Sequence, residues 1–165
     1  MSRSRNRKQA RRDFAEAVLR VSRAAAAEAV ADGSARLEEG QDLGGEYARL
    51  VPLNPRACEI KIYPDYPTLC MGPEQHCTEM FGSEEQRLRE LPQLIRAVIS
   101  GRYEWRHRQV RGRFLIFTYR HTQLVGTFLT AEVPWVFTRQ GAEPEGAVQH
   151  KTYEPYRRPS GAAGA

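Results

Sequence analysis

The stretch SEEQRLRELPQLIRAVISG, residues 83–101, constrains the fold more than any other. Leu88, Leu91, Leu94, Ile95, Val98 and Ile99 recur at spacings of three and four, which lines them along one face of a helix. Ser83 stands three residues before Gln86, the spacing of a capping box, and Gly101 closes the far end. Pro92 removes one helical hydrogen bond and crowds the carbonyl four residues back, so a kink or break is expected near Glu90. An apolar stripe of this kind must be covered by another layer.

The flanking segments alternate as strands do. EYARLVPL (46–53) reads as a strand, and in ACEIKIY (57–63) Cys58, Ile60 and Ile62 point one way, with Glu59, Lys61 and Tyr63 the other. Pro64-Asp65-Tyr66-Pro67 is a turn. TLCMG (68–72) and QHCTEMF (75–81) form a hairpin about Pro73-Glu74. Beyond the helix, YEWRHRQV (103–110), RFLIFTYR (113–120) and QLVGTFLTAEV (123–133) are joined through Arg111-Gly112 and His121-Thr122, as in an antiparallel meander. PWVFTR (134–139) adds an edge strand. The expected fold is α+β over residues 46–139: an antiparallel sheet of five to seven strands with the 83–100 helix on one face.

Upstream, residues 10–32 predict an Ala-rich helix with Phe14, Val18, Val21, Ala25 and Ala29 on one side. It packs on the same layer or serves as an oligomer contact. GSARLEEGQDLGG (33–45) reads as a linker, residues 1–9 as a disordered basic leader and 140–165 as a disordered tail.

The formal charge of +5 is unevenly placed. Arg3, Arg5, Arg7, Lys8, Arg11 and Arg12 fall within the first twelve residues, which contain no acid; elsewhere 19 basic side chains face 20 acidic ones. Such a segment can neutralise phosphates without regard to sequence, and it is also a common solubilising appendage. Arg106, Arg108, Arg111 and Arg113 form a second basic cluster. The aromatics nearby alternate with aliphatics as a core face requires, and no RNP-like motif is present. No apolar run approaches the roughly 18 residues of a membrane span, and no apolar stretch follows the basic start as in a secretory signal. A cytoplasmic location is expected, without membrane contact.

All three cysteines, Cys58, Cys70 and Cys77, lie in CEIKIYPDYPTLCMGPEQHCTEMFG together with His76. Zinc sites usually use short ligand pairs. Here Cys70 and Cys77 are separated by six residues, and adjacent His76 and Cys77 would point to opposite faces of a strand. No metal is expected. A two-residue turn through Pro73 and Glu74 sets Cys70 opposite Cys77 and Met71 opposite His76. Opposed Cβ atoms lie about 4.5–5.5 Å apart, against roughly 3.8 Å in a relaxed disulfide. A strained, reducible bond and a pair of buried thiols both fit. We expect the thiols, because free cysteine acts as a small buried hydrophobe and intracellular disulfides are rare.

Catalytic signatures are missing from the sequence. His107, His121 and His150 stand on separate segments and match no HExxH spacing, and no GxGxxG or GxxxxGK[ST] loop occurs. No cofactor is expected. Glu79, Glu84, Glu85 and Glu90 gather near the start of the second helix, where acids suit the helix dipole.

The phrase TEMFGSEEQRLRELPQLIRAVISGRYEWRHR resembles stretches in small α+β proteins of GC-rich bacteria, some of them immunity-like proteins that neutralise toxins. The resemblance spans about 58–128 and is carried by Glu79, Phe81, Gly82, Ala97, Gly101, Tyr103 and Glu104. These residues are explained by folding and carry over no functional role; with no catalytic constellation in the sequence, the expectation is a non-enzymatic interaction protein, immunity-like or regulatory, that occludes a partner, a toxin or an enzyme. The expected contact is Trp105 or Trp135 at its centre with Glu79, Glu84 and Glu85 beside it. The alternative is a nucleic-acid-associated protein acting through Arg3, Arg5, Arg7, Lys8, Arg11 and Arg12.

Overall fold

The computed structural model describes residues 2–72, 76–114, 117–130, 135–140 and 150–157, with side chains for all of these except 2–5, 76, 107–114, 117–123, 135 and 137–140. The fold is α+β, with antiparallel sheets and two helices. Helix α1 spans Ser2–Ala31, and strands β1 (Ala35–Asp42), β2 (Gly45–Pro52), β3 (Ile60–Tyr63), β4 (Thr68–Met71) and β5 (His76–Glu79) follow. Helix α2 covers Glu84–Ile99, and the chain continues as β6 (Tyr103–Phe114), β7 (Phe117–Phe128), β8 (Trp135–Gln140) and β9 (His150–Thr152).

The strands form two sheets instead of the single one expected. The first runs β1-β2-β3-β4-β5 in sequence order, and the second runs β8-β7-β6-β9. Among the described residues no ladder joins them; an isolated parallel bridge links Ala57 to Glu154. The chain emerging from α2 finds its partner in the next strand, because β6 and β7 pair over their full lengths from Tyr103↔Phe128 to Phe114↔Phe117. The turns expected at Arg111-Gly112 and His121-Thr122 therefore lie inside strands. Gly112 sits opposite Tyr119, and Val110 opposite His121. Glycine weakens a strand without ending it.

The stretch expected to be a linker is largely β1 and the start of β2. As an edge strand, β1 buries one face only, with Ala35 buried and Leu37 packed against the core. The expected tail also contributes structure. β9 pairs with β6, and Tyr153 and Tyr156 are buried. The Tyr156 hydroxyl donates to the Cys58 carbonyl at 2.7 Å and its N–H donates to the Ile99 carbonyl at 2.8 Å. Asn54 ties the same segment down, donating to Pro155 O at 2.9 Å and Glu154 Oε2 at 3.1 Å. Residues 141–149 and 158–165 of the expected tail lie outside the described residues.

Local signals hold where the periodicity was strong. Ser83 caps α2 by accepting from the Gln86 N–H at 3.2 Å, and Leu91, Leu94, Ile95 and Val98 are buried. No break occurs at Pro92, since the helix runs through it; burial on both sides of the proline holds the turn that its missing donor weakens. Cys58, Ile60 and Ile62 are buried while Glu59, Lys61 and Tyr63 are not. The two helices run side by side in the same direction. Arg87 stacks on Phe14, 4.9 Å from its ring centre, near the start of α2, and Ala25 and Ala29 line a groove with Arg96 and Ile99 near its end. One buried cluster joins both helices to Leu50, Ile60, Leu69, Tyr103 and Phe128 of the sheets.

Candidate nucleic-acid interface

Helix α1 begins at Ser2, so the segment expected to be a disordered leader is helical. Its packed part starts at Phe14, and residues 6–13 are all exposed. Helix formation is costly to start and easy to extend. The turns seated between Phe14 and Ala29 supply the nucleus, and Arg, Lys, Gln and Ala are good formers to extend it. Residues 2–13 thus project about 18 Å beyond the packed portion at 1.5 Å per residue.

This projection carries the whole basic set. Arg7 and Arg11 stand one turn apart, as do Lys8 and Arg12, and the backbones of Arg3 and Arg5 occupy the turn before them. None of the described side chains among these six is ion-paired. The nearest acid along the helix, Asp13, accepts from Gln9 Nε2 at 2.8 Å. Further along, Arg23 is bound to Glu39 by two hydrogen bonds of 2.7 and 2.9 Å. That contact raises the Arg23 pKa and holds the Glu39 carboxyl below its usual range.

At the foot of the projection stand two aromatics that sequence reasoning did not single out for binding. Arg11 lies 5.5 Å from the ring centre of Tyr66 in the β3–β4 turn. Tyr66 is 64% exposed and Phe81 is 77% exposed. The Met80 N–H donates to the Pro67 carbonyl at 2.9 Å, which sets the two segments edge to edge. Exposure is the property that identifies them, and it has no signature in sequence.

The residues chosen for partner binding are dispersed. Trp105 is 4% exposed and its indole N–H donates to the Tyr153 hydroxyl at 3.1 Å, so this side chain belongs to the core. The Trp135 backbone pairs with Phe128 in the second sheet; its side chain lies outside the described residues. Glu79, Glu84 and Glu85 are exposed. Of the second basic cluster, Arg106 is exposed, and backbone register sets Arg111 opposite Arg120.

Cys70 and Cys77 face each other as the hairpin register required, but they are joined in a disulfide, not held as two thiols. Cys70 is buried, as expected, and Cys77 half-buried, but direct opposition in the β4–β5 ladder brings their Cα atoms to 3.9 Å, within bonding reach of each other. Cys58 is the free cysteine, fully buried, and burial pushes its thiol up to about 12. Lys61 contacts Asp42 and lies 3.9 Å from the Tyr47 ring centre. Burial opposes its charge, but hydrogen bonds to Asp42 and Tyr63 prevail and raise its pKa. Among the described residues no three His, Cys, Asp or Glu side chains converge as metal ligands, and no helix is long and apolar enough to cross a membrane.

A groove of about 340 Å³ lies at the far end of the helix pair, bordered by Arg96, Arg102, Arg157, Glu28 and Asp32. Both helices end there, so their carbonyl termini and the two acids offset the arginines. Among the described side chains, the run of basic residues with no acid paired to it, Arg7, Lys8, Arg11 and Arg12, is at the other end. No protein family, curated protein or solved structure matches the chain.

Proposed function

We propose that this protein associates with nucleic acid by laying the basic turns of α1 along the phosphate backbone, with Arg3, Arg5, Arg7, Lys8, Arg11 and Arg12 as the contacts. One observation carries the reading: a helical projection, exposed over residues 6–13, stacks like charges at successive turns, and among its described side chains no acid is paired to Arg7, Lys8, Arg11 or Arg12. Like-charged pairs four residues apart disfavour a helix by roughly 0.2–0.5 kcal/mol each. A polyanion removes that penalty and releases counterions as it binds. An anionic membrane fits less well, because Ala10 is the one apolar residue within 2–12 and leaves no face to insert.

Fluorescence anisotropy with labelled nucleic acid across a salt series tests this. Binding is expected to weaken linearly in log salt, with a slope of about −0.7 to −0.9 per phosphate contact. Replacing Arg7, Lys8, Arg11 and Arg12 together by alanine is expected to flatten that slope. Absence of binding at low salt, or undiminished binding by the variant, sinks the reading.

Occlusion of a protein partner, immunity-like or regulatory, is the second reading. Three exposed carboxylates, Glu79, Glu84 and Glu85, support it, and it ranks second because Trp105 is not at the surface.

A further inference from the structure

The geometry points to single-stranded nucleic acid as the ligand of this site, with Tyr66 and Phe81 forming a platform on which unpaired bases stack. This rests on the phosphate-binding reading of α1 and adds to it the class of strand. Proteins that hold single strands combine a basic track for the backbone with exposed aromatic faces for the bases. Both parts meet here. Arg11 belongs to the basic helix and at the same time stands over Tyr66, so a phosphate held on the helix brings its own base to the ring.

Tyr66 and Phe81 are the exposed aromatic residues among the described side chains. The other described Phe, Trp and Tyr rings are buried or half-buried. An exposed phenyl ring adds nothing to the core and leaves apolar area in water, which a base would cover. A duplex must first unstack a base step to use these rings, whereas an unpaired strand offers its base faces directly. Polarity across the site also suits a single strand. Arginine flanks Tyr66, while Glu84 and Glu85 follow Phe81 in the chain and are exposed. Phosphates are then held on the α1 side, away from the carboxylates.

Three probes separate this inference from the reading beneath it: an oligothymidylate of about 12 nucleotides, the same backbone with abasic residues, and a duplex of equal phosphate count. Full-length protein is expected to bind the oligothymidylate more tightly than either of the others. Tyr66→Ala and Phe81→Ala are each expected to weaken oligothymidylate binding by about fivefold to a hundredfold, and to change abasic and duplex binding less than twofold. Tyr66→Phe keeps the ring and is expected to retain binding; Phe81→Leu keeps the apolar bulk and is expected to lose it. Thermal melts establish that each variant is folded. Equal affinity for all three probes, or binding indifferent to both rings, overturns the inference and leaves the basic helix as a phosphate contact. If none of the probes binds at low salt, the underlying reading falls as well.

Discussion

Gly101 shows how much one residue can carry. Its φ of +69° is a left-handed conformation, and a Cβ there would come within 2.6 Å of the Pro155 nitrogen and 2.9 Å of the Tyr153 carbonyl oxygen. Those atoms are backbone and cannot swing aside. Gly101→Ala is expected to cost more than the roughly 1–2 kcal/mol of the left-handed conformation alone, seen as a lower urea midpoint at unchanged slope. Cysteine chemistry gives a second expectation at this scale. Cys58 is fully buried with its thiol raised to about 12, so native protein is expected to resist alkylation at neutral pH. Because Cys70 and Cys77 are joined, denatured protein is expected to expose one reactive thiol before reduction and all three cysteines of the chain after it. Mass spectrometry counts the adducts; three adducts without reduction would refute the bond.

At the scale of elements, the segment 150–157 acts as a strap across the end of α2 and the start of β3. It is held by β9, by the Ala57–Glu154 bridge and by Asn54, which is 5% exposed. Removing the Asn54 amide strands the Pro155 carbonyl, and an unsatisfied buried group costs about 1–3 kcal/mol. Asn54→Ala is therefore expected to destabilise by that amount, and hydrogen exchange is expected to quicken at the Glu154 and Tyr156 amides before it does in α2. Uniform quickening across the fold would show instead that the strap does not open by itself. The α1–β1 pair is a weaker tie. Arg23 and Glu39 are half exposed, at 51% and 40% of their side-chain areas, and surface pairs of this kind contribute below about 1 kcal/mol.

At the scale of the whole molecule, charge is segregated: the projecting turns of α1 are basic, and the remainder is close to balanced. The acids that are tied down set the response to pH. Arg23 holds the Glu39 carboxyl, and Lys61 the Asp42 carboxyl, below the ordinary values of those groups. Groups with depressed native values contribute fully above their unfolded pKa and lose that contribution as pH falls through the native one. Stability is thus expected to be flat through neutral pH and to decline only below these carboxylate values. Glu39→Gln is expected to make the acid side of the profile shallower, read from urea midpoints at several pH values. A profile identical to that of the parent would show that the pair contributes nothing.

What the sequence determined by itself follows from periodicity and turn chemistry, both of which are local. The capped α2 with its buried stripe, the inward set Cys58, Ile60 and Ile62, and the register that sets Cys70 opposite Cys77 were all legible, as was the crowding of basic residues before Asp13. The rest depended on contacts between residues far apart in the chain. Helix α1 extends back to Ser2 because its later turns are already packed. Strand β1 and the strap exist because partners elsewhere supply their hydrogen bonds. Two sheets form because β6 finds β7 along its whole length. Trp105 is buried while Tyr66 and Phe81 are left in water, and that division, on which the candidate interface rests, is made by the packing of the finished fold and not by the identity of any side chain.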